Sequence, residues 1–353
     1  MIRHLPEDAI TIRNYETGDE SELVRLHRQV FGSNLSCEEW RWKYKQQPQG
    51  TSWITLAEHD GSIIGQRCLL RHHLNYTGRE LVAGQACDTL VHPDHRRKGL
   101  FGRLGTSNYR WANADGVTAI FNFPNRNSFP GYVRYLGWNK VCSLRYYYYR
   151  LGYRKLYGVA LDRAARILKG ALIKGETWLR RSLLEERESL QVRHLEEVPV
   201  DFEASLAHVR DHEILSIWKD VPYLRWRYAE HPSNDYTFHL LYRDTHPEGL
   251  IVTRDREHTI AICDVLHRTK AAVPTALLLT EVVRFYQDSQ AQKMEFFGHD
   301  DGFFDVVFAT AGFTREPASS FVFGGRVFDN PNLHDIFFRR QNWTISYGDT
   351  DVV

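Results

Sequence analysis

The spacing of apolar positions along the first 150 residues predicts a regular series of short strands and helices. Between Glu20 and Phe31 the apolar residues recur at helical spacing, which predicts an amphipathic helix. Trp53–Glu58 and Ser62–Leu70 flank the turn His59-Asp60-Gly61 and predict a β-hairpin. The full order is strand, helix, helix, three strands, helix, strand, helix and strand. It predicts an α/β protein with mixed central sheets flanked by helices.

One stretch, Gln85 to Leu104, combines a strand, a turn and a basic loop that leads into a helix. Ala86–Val91 is a β-prone apolar run with Asp88 in its middle, and His92-Pro93-Asp94 ends it. The loop Arg96-Arg97-Lys98-Gly99 then precedes a helical pattern. A helix N-terminus presents unpaired N–H groups and partial positive charge, and a glycine allows close approach of a ligand. We expect a polyphosphate seat here, the alternative being a solvated basic turn that caps a helix.

Composition limits the classes of function that fit the chain. The 353 residues suggest two domains, and the net charge of +1 gives no general attraction to nucleic acid. The five cysteines are widely spaced and form no Cys-x-x-Cys pair, so neither a disulfide framework nor a zinc site is expected. The sequence also predicts no metal, no integral membrane segment and a cytoplasmic location.

The second half of the chain repeats several features of the first half in the same order. Three pairs of segments align: Trp42–Pro48 with Trp226–Pro232, Cys87–Leu90 with Cys263–Leu266, and Gly137-Trp138 with Gly312-Phe313. The pattern predicts a duplicated domain. Because tryptophans recur in both halves, we expect them to have a packing role. Where the basic glycine loop should follow in the second copy, the sequence has His267–Pro274, so that copy lacks the phosphate seat.

The strand, the Val91-His92-Pro93 turn and the loop Arg96-x-x-Gly99 together resemble motif A of the GNAT superfamily, the acetyl-CoA-dependent N-acyltransferases. Phe101 departs from the family pattern, which has Gly or Ala at that position. The resemblance implies tandem GNAT folds. Residues 1–150 would be the acetyl-CoA-binding catalytic domain, 151–195 a helical linker, and 196–353 a second, degenerate GNAT-like domain.

The resemblance also implies a set of site residues. The residues expected to bind acetyl-CoA are Leu90, Val91, Arg96, Arg97, Lys98, Gly99, Leu100, Phe101, Gly102, Asn125 and Asn127. Tyr132 is the first candidate for the general acid, and Tyr135 is the second. Asp88 is the candidate base, because a carboxylate in an apolar strand tends to have a raised pKa. The alternative is that Asp88 is structural, since Asp264 occupies the same place in the second copy.

These features predict an N-acetyltransferase that moves an acetyl group from acetyl-CoA to a primary amine of a small molecule, such as an amino sugar or an amine metabolite. A protein-amine acetyltransferase is one alternative, and a non-catalytic CoA-binding or assembly module is another. A longer acyl or aminoacyl donor is a third. The second domain would close the acceptor cleft or mediate a homodimer. No nucleic-acid partner is expected.

Overall fold

A computed structural model of the chain describes residues 10–32, 34–125, 127–151, 190–316 and 321–351. These residues form two mixed β-sheets flanked by helices, which confirms the predicted α/β class. Residues 152–189, where the helical linker is predicted, lie outside the described residues. Residues 190–195 form a strand of the second sheet.

The first half of the chain forms most of one sheet. The strands of this half of the chain are β1 Ile10–Asn14, β2 Trp53–His59, β3 Ser62–Tyr76, β4 Arg79–Val91, β5 Ala119–Asn122, β6 Asn139–Ser143 and β7 Arg145–Arg150. Its helices are α1 Glu20–Phe31, α2 Cys37–Lys45, α3 Leu100–Ala114 and α4 Phe129–Leu136. The limits of α1 agree with the predicted helix, and β2 and β3 pair as the predicted antiparallel hairpin.

The second half repeats this order of elements. Its strands are β8 Leu190–Leu195, β9 Leu215–Ile217, β10 Tyr236–Arg243, β11 His246–Arg256, β12 Thr259–His267, β13 Lys293–Gly298, β14 Thr314–Glu316 and β15 Val322–Val327. Its α-helices are α5 Glu203–His212, α6 Val221–Leu224, α7 Ala272–Phe285, α8 Phe303–Thr310 and α9 Pro331–Phe337. A π-helical turn, Arg225–Ala229, continues α6.

Each sheet includes strands from the other half of the chain: β15 and β9 join the first sheet, in which β9 pairs with β3, and β7 joins the second. The first sheet has the order β1-β2-β3-β4-β5-β15-β6, and the second has the order β14-β7-β13-β12-β11-β10-β8. The C-terminal strand β15 is therefore inserted between β5 and β6, whereas β7 pairs with β13 and β14. The domain limits near residue 150 stay a prediction, and the strand exchange shows that the two halves do not form separate sheets.

Glycines allow β15 to fit between its neighbours. A Cβ atom at Gly325 would lie 2.2 Å from the carbonyl oxygen of Ile120, and one at Gly324 would lie 2.7 Å from that of Asn139. Real Cβ atoms do not approach backbone oxygens so closely, so larger side chains would push the strand out of the sheet. The Gly-Gly pair is thus a sequence requirement for the exchange.

Two tryptophans join the two halves in a nearly symmetric contact. The rings of Trp42 and Trp226 stack with their centroids 5.2 Å apart. Each indole N–H donates to the main-chain carbonyl of the other residue, at 2.9 and 3.0 Å. Both residues are more than nine-tenths buried. The contact agrees with the packing role predicted from the repeat.

Candidate functional site

A cleft opens where β4 and β5 stop pairing. The parallel pairs end at Gln85 with Phe121, and beyond this point β4 continues while the chain after β5 turns away. The cavity, which we call the donor cleft, has a volume of about 810 Å³. Eight of the predicted site residues line it: Asp88, Val91, Arg96, Phe101, Asn125, Asn127, Tyr132 and Tyr135.

The basic loop lies at the N-terminus of α3, as the sequence predicts. Arg96, Arg97 and Gly99 are exposed, and Gly99 precedes the first residue of the helix with a φ of 75°. A Cβ atom at Gly99 would meet no atom within 4 Å, so the conformation requires glycine while the surrounding space stays open. Cationic side chains beside unpaired helical N–H groups suit a pyrophosphate. The residues present therefore fit the phosphate end of CoA.

The other predicted binding residues have different surroundings. Leu90 and Leu100 are buried in apolar clusters, so only their main-chain groups could reach a ligand. The Lys98 ammonium lies 3.5 Å from a ring nitrogen of His95. Gly102 faces α4, where an added Cβ atom would lie 3.8 Å from that of Tyr135. This distance is an ordinary van der Waals contact, so α3 and α4 lie side by side at one side of the cleft.

Asp88 lies in a bulge of β4 and is held by an ion pair. Its backbone φ is 40°, in the left-handed region, and the pairing of β3 with β4 shifts register at this point. The Lys43 ammonium donates to the Asp88 carboxylate at 2.5 Å, and the Tyr44 hydroxyl donates to the same oxygen. Burial raises the pKa of Asp88, but the charge and hydrogen bonds of Lys43 and the bond from Tyr44 outweigh it and lower the pKa. The predicted raised pKa is therefore wrong.

The second half builds the same arrangement around Asp264. Lys219 and the Tyr228 hydroxyl both donate to its carboxylate at 2.5 Å. Tyr228 matches Tyr44 in the repeat, and Asp264 matches Asp88. The half without the phosphate loop thus also pairs its aspartate with a lysine and a tyrosine, although Lys219 does not align with Lys43 in the repeat. This favours the structural alternative for the aspartate.

Tyr132 lies on α4 with its hydroxyl beside a buried arginine. Arg67, on β3 opposite the bulge, is 0% exposed and donates to the Tyr132 hydroxyl at 3.2 Å. It also donates to the hydroxyls of Thr89 and Tyr109, both at 2.6 Å. A guanidinium can only donate, so the Tyr132 oxygen accepts and its own proton remains available. Tyr132 thus lines the cleft with a proton to give and a positive charge behind it.

The remaining predicted residues lie around the same cleft. Tyr135 is 57% exposed, and its ring centroid lies 6.4 Å from that of Phe101. The Asn125 side chain accepts from the main-chain N–H groups of Asn127 and Ser128, so it shapes the turn before α4. The ring of Phe101, where the family pattern has a small residue, packs edge-on against Tyr132 with centroids 5.3 Å apart.

A second cavity, the acceptor cavity, lies at the contact between the two halves. Its volume is about 310 Å³, and it is lined by Trp42 and Trp226 together with side chains from both halves. Lys43 lines this cavity, whereas its ion-pair partner Asp88 lines the donor cleft. Asp351, near the C-terminus, lines both. The two cavities therefore meet at these three charged side chains.

Sequence reasoning missed Arg67, Asp351 and the acceptor cavity. Arg67 could have been suspected as the one cation in the predicted strand Ser62–Leu70. Asp351 lies far along the chain from every motif and gave no local signal. Among the described residues no group of His, Cys, Asp and Glu is arranged to hold a metal ion. Of the helices the structure describes, none has the length and apolar character to cross a membrane.

Comparison with known proteins agrees with this geometry. Residues 11–141 match the family described as "Acetyltransferase (GNAT) domain". A GCN5-related N-acetyltransferase from Anabaena variabilis has a similar structure, with a TM-score of 0.64 at 10% identity over 90% of this chain and 72% of that one. One from Kribbella flavida has a TM-score of 0.59 at 13% identity, over 93% and 74%.

A probable N-acyltransferase from Enterococcus faecalis is also similar, with a TM-score of 0.58 at 11% identity over 90% of this chain and 72% of that one. No curated protein matches the chain in sequence. At such low identities the structural likeness establishes the fold, and the sequence match identifies the N-terminal region. Residues 11–141 of this chain therefore match a GNAT acetyltransferase domain.

Proposed function

We propose that the chain is an acetyl-CoA-dependent N-acetyltransferase that acetylates a primary amine of a small molecule. The observation that carries the proposal is the donor cleft. Six residues of the Gln85–Leu104 stretch, among them Asp88, Val91 and Arg96, line one cavity of about 810 Å³ together with Tyr132, and the exposed basic loop lies beside it. The match to a GNAT domain supports acetyl-CoA as the co-substrate, which supplies an acetyl thioester.

The proposed reaction is direct transfer without a covalent enzyme intermediate. The amine nitrogen attacks the thioester carbonyl carbon, so a C–N bond forms and the C–S bond breaks. The Tyr132 hydroxyl gives its proton to the departing sulfur, and Arg67 stabilises the phenolate that this leaves. A base removes one proton from the attacking nitrogen. Asp88 suits this role poorly, because its carboxylate is engaged by Lys43 and Tyr44.

The acceptor cavity supports a small substrate. Its volume of about 310 Å³ lies at the lower end of the usual range for small-molecule sites. Side chains from both halves of the chain line it, and it adjoins the donor cleft at Lys43 and Asp88. An amine of modest size in this cavity would present its nitrogen toward the donor cleft.

Calorimetric titration with acetyl-CoA tests the donor site. The double variant Arg97→Glu, Gly99→Glu places two negative charges at the proposed pyrophosphate seat, and it should abolish the micromolar binding expected of the parent. Gly116→Glu is a matched control. Gly116 lies beyond the other end of α3, has a φ of 89° and, like Gly99, has no atom within 4 Å of an added Cβ atom. Equal binding by parent and double variant would refute the assignment of the seat.

Release of free CoA with a panel of primary amines tests the transfer. Glucosamine and phenethylamine represent amino sugars and arylalkylamines. The packing of Phe101 against Tyr132 favours one alternative, a chain that binds CoA without transferring the acetyl group. Binding of acetyl-CoA without CoA release from any amine would support that alternative. Release with peptide amines alone would identify a protein-amine acetyltransferase.

A further inference from the structure

The C-terminal segment Trp343–Asp351, which we call the C-terminal strap, fills the split of the second sheet. β12 and β13 pair only from Thr259 to Ala261 and then diverge, as β4 and β5 do in the first sheet. In the second sheet, Ile345 of the strap pairs with His299, just past β13, through hydrogen bonds of 2.7 and 2.9 Å. The space that corresponds to the donor cleft is thus taken by the chain itself.

The path of the strap is fixed by close contacts on both sides. A Cβ atom at Gly348 would lie 3.1 Å from the carbonyl oxygen of Cys263, on β12. The buried Arg227 guanidinium donates to the main-chain carbonyls of Gly348, at 3.3 Å, and Thr350, at 2.9 Å. Arg227 aligns with Lys43 in the repeat. In the first half the cation at this position, Lys43, binds the carboxylate of Asp88 in the bulge. In the second half the cation, Arg227, binds the main chain of the strap.

Asp349 anchors the strap in the second half. Its carboxylate lies 2.7 Å from the ammonium of Lys219, which also binds Asp264. Two residues further, Asp351 has left the second sheet and lines both the acceptor cavity and the donor cleft. The anchored strap therefore holds the Asp351 carboxylate at the place where the amine and the thioester must meet.

We infer that the C-terminal strap supplies the general base of the reaction: Asp351 binds the ammonium group of the acceptor and takes its proton before the nitrogen attacks. The inference rests on the proposed function. Asp351 takes one proton from the ammonium, and the neutral nitrogen then attacks, so the C–N bond forms and the C–S bond breaks. The thiolate leaves with the proton of Tyr132, and the second proton of the attacking nitrogen passes to the Tyr132 phenolate and restores its hydroxyl. The degenerate second half acquires a role in catalysis, because it positions a residue of the first site.

Asp351 fits the role of base better than Asp88 does. Asp88 receives hydrogen bonds from both Lys43 and Tyr44 and has a lowered pKa. Burial raises the pKa of Asp351, the nearby charge of Lys43 opposes this, and that of Asp88 adds to the increase, so the net pKa is raised. A carboxylate with a raised pKa holds a proton more firmly and is the better base.

The experiment measures CoA release by the full chain from acetyl-CoA with glucosamine and phenethylamine, and with hydroxylamine as a weakly basic probe. Ordinary primary amines are protonated at neutral pH, whereas hydroxylamine is largely neutral and needs no proton removed before attack. Asp351→Asn should lower kcat with the two amines about a hundredfold or more. With hydroxylamine the loss should be less than tenfold, and calorimetric binding of acetyl-CoA should not change.

Two further variants separate chemistry from folding. Asp351→Glu keeps the carboxylate and should recover at least a tenth of the parent rate with the two amines. Asp335→Asn, a change at an aspartate whose side chain is 75% exposed on α9, should behave as the parent does.

Parent-like kcat in Asp351→Asn would overturn the inference and leave the proposed function intact. Equal losses with all three nucleophiles, or loss of acetyl-CoA binding in the variant, would assign Asp351 a structural role and also overturn it. A parent that binds acetyl-CoA but acetylates none of the probes would overturn the assignment of the acceptor site. Failure of the parent to bind acetyl-CoA would refute the proposed function itself.

Discussion

Replacing Arg67 with methionine tests whether a buried positive charge assists the departure of the thiolate. Arg67 is 0% exposed, and its guanidinium lies 3.2 Å from the Tyr132 oxygen. When Tyr132 gives up its proton, the phenolate gains a charge beside this cation. At an effective dielectric constant of about 20, full unit charges at this distance attract by about 5 kcal/mol. If half of the charge has developed in the transition state, Arg67→Met loses about 2.5 kcal/mol, or roughly a hundredfold in kcat.

The same substitution should leave other properties nearly unchanged. The structure does not place Arg67 on the wall of the donor cleft, so affinity for acetyl-CoA should change less than threefold. Replacing a buried charge by an apolar side chain of similar length is often close to neutral for stability, so we expect the free energy of unfolding to change by less than about 2 kcal/mol. With methionine at position 67, the hydroxyls of Thr89, Tyr109 and Tyr132 lose a donor but are themselves neutral, so no buried charge is left unpaired.

The assay is steady-state release of CoA with an accepted amine, measured for Arg67→Met, Tyr132→Phe and the double variant. Because Arg67 acts through Tyr132, the two losses should not add, and the double variant should be about as slow as Tyr132→Phe alone. Arg71→Met is a matched control on the same strand. Arg71 binds Asp115 at 2.6 Å and should not affect kcat. Additive losses, or an unchanged kcat in Arg67→Met, would refute the argument.

Three further predictions concern the framework. Gly325→Ala should destabilise the protein by about 3 kcal/mol or more in urea unfolding, because its methyl group would lie 2.2 Å from the Ile120 carbonyl; a change below 1 kcal/mol would contradict the tight fit. Trp42→Ala should lower the free energy of unfolding by about 3–5 kcal/mol, and a double-mutant cycle with Trp226→Ala should show coupling; additivity would argue against the reciprocal contact. Burial lowers the pKa of His239 to about 3, so it stays neutral in the fold and protonates in the unfolded chain. Between pH 7 and pH 5 the free energy of unfolding of the parent should therefore fall by about 2 kcal/mol more than that of His239→Gln. Equal decreases in both proteins would refute this.

The sequence predicted the local elements well because their signals are local. The limits of α1 followed from apolar spacing, and the position of the basic loop before α3 followed from the Pro93 turn and Gly99. Eight of the fourteen predicted site residues line one cleft. They come from two continuous segments, one that runs from β4 into α3 and one that runs from the end of β5 into α4. Each of these inferences depends on residues less than about twenty positions apart.

The missed features depend on residues that are distant along the chain. Burial alone predicts a raised pKa for Asp88, but Lys43, which lies 45 positions away, reverses the direction. The pairing of β15 with β5 and the entry of Asp351 into the site connect the C-terminus with the first half. Neither apolar periodicity nor turn chemistry carries information about such partners.

The insertion of β15 between β5 and β6 has a consequence for synthesis of the chain. While the ribosome is still making the second half, the first sheet lacks the strand that joins β5 to β6, and the facing edges of these two strands are open. The strand that fills the gap begins at Val322, so it emerges only after residues 144–321 have been made. The acetyltransferase domain therefore cannot mature as soon as its own residues are made. Its completion waits until Val327 has been made, and in that interval the open edges are exposed to chaperones and to other nascent chains.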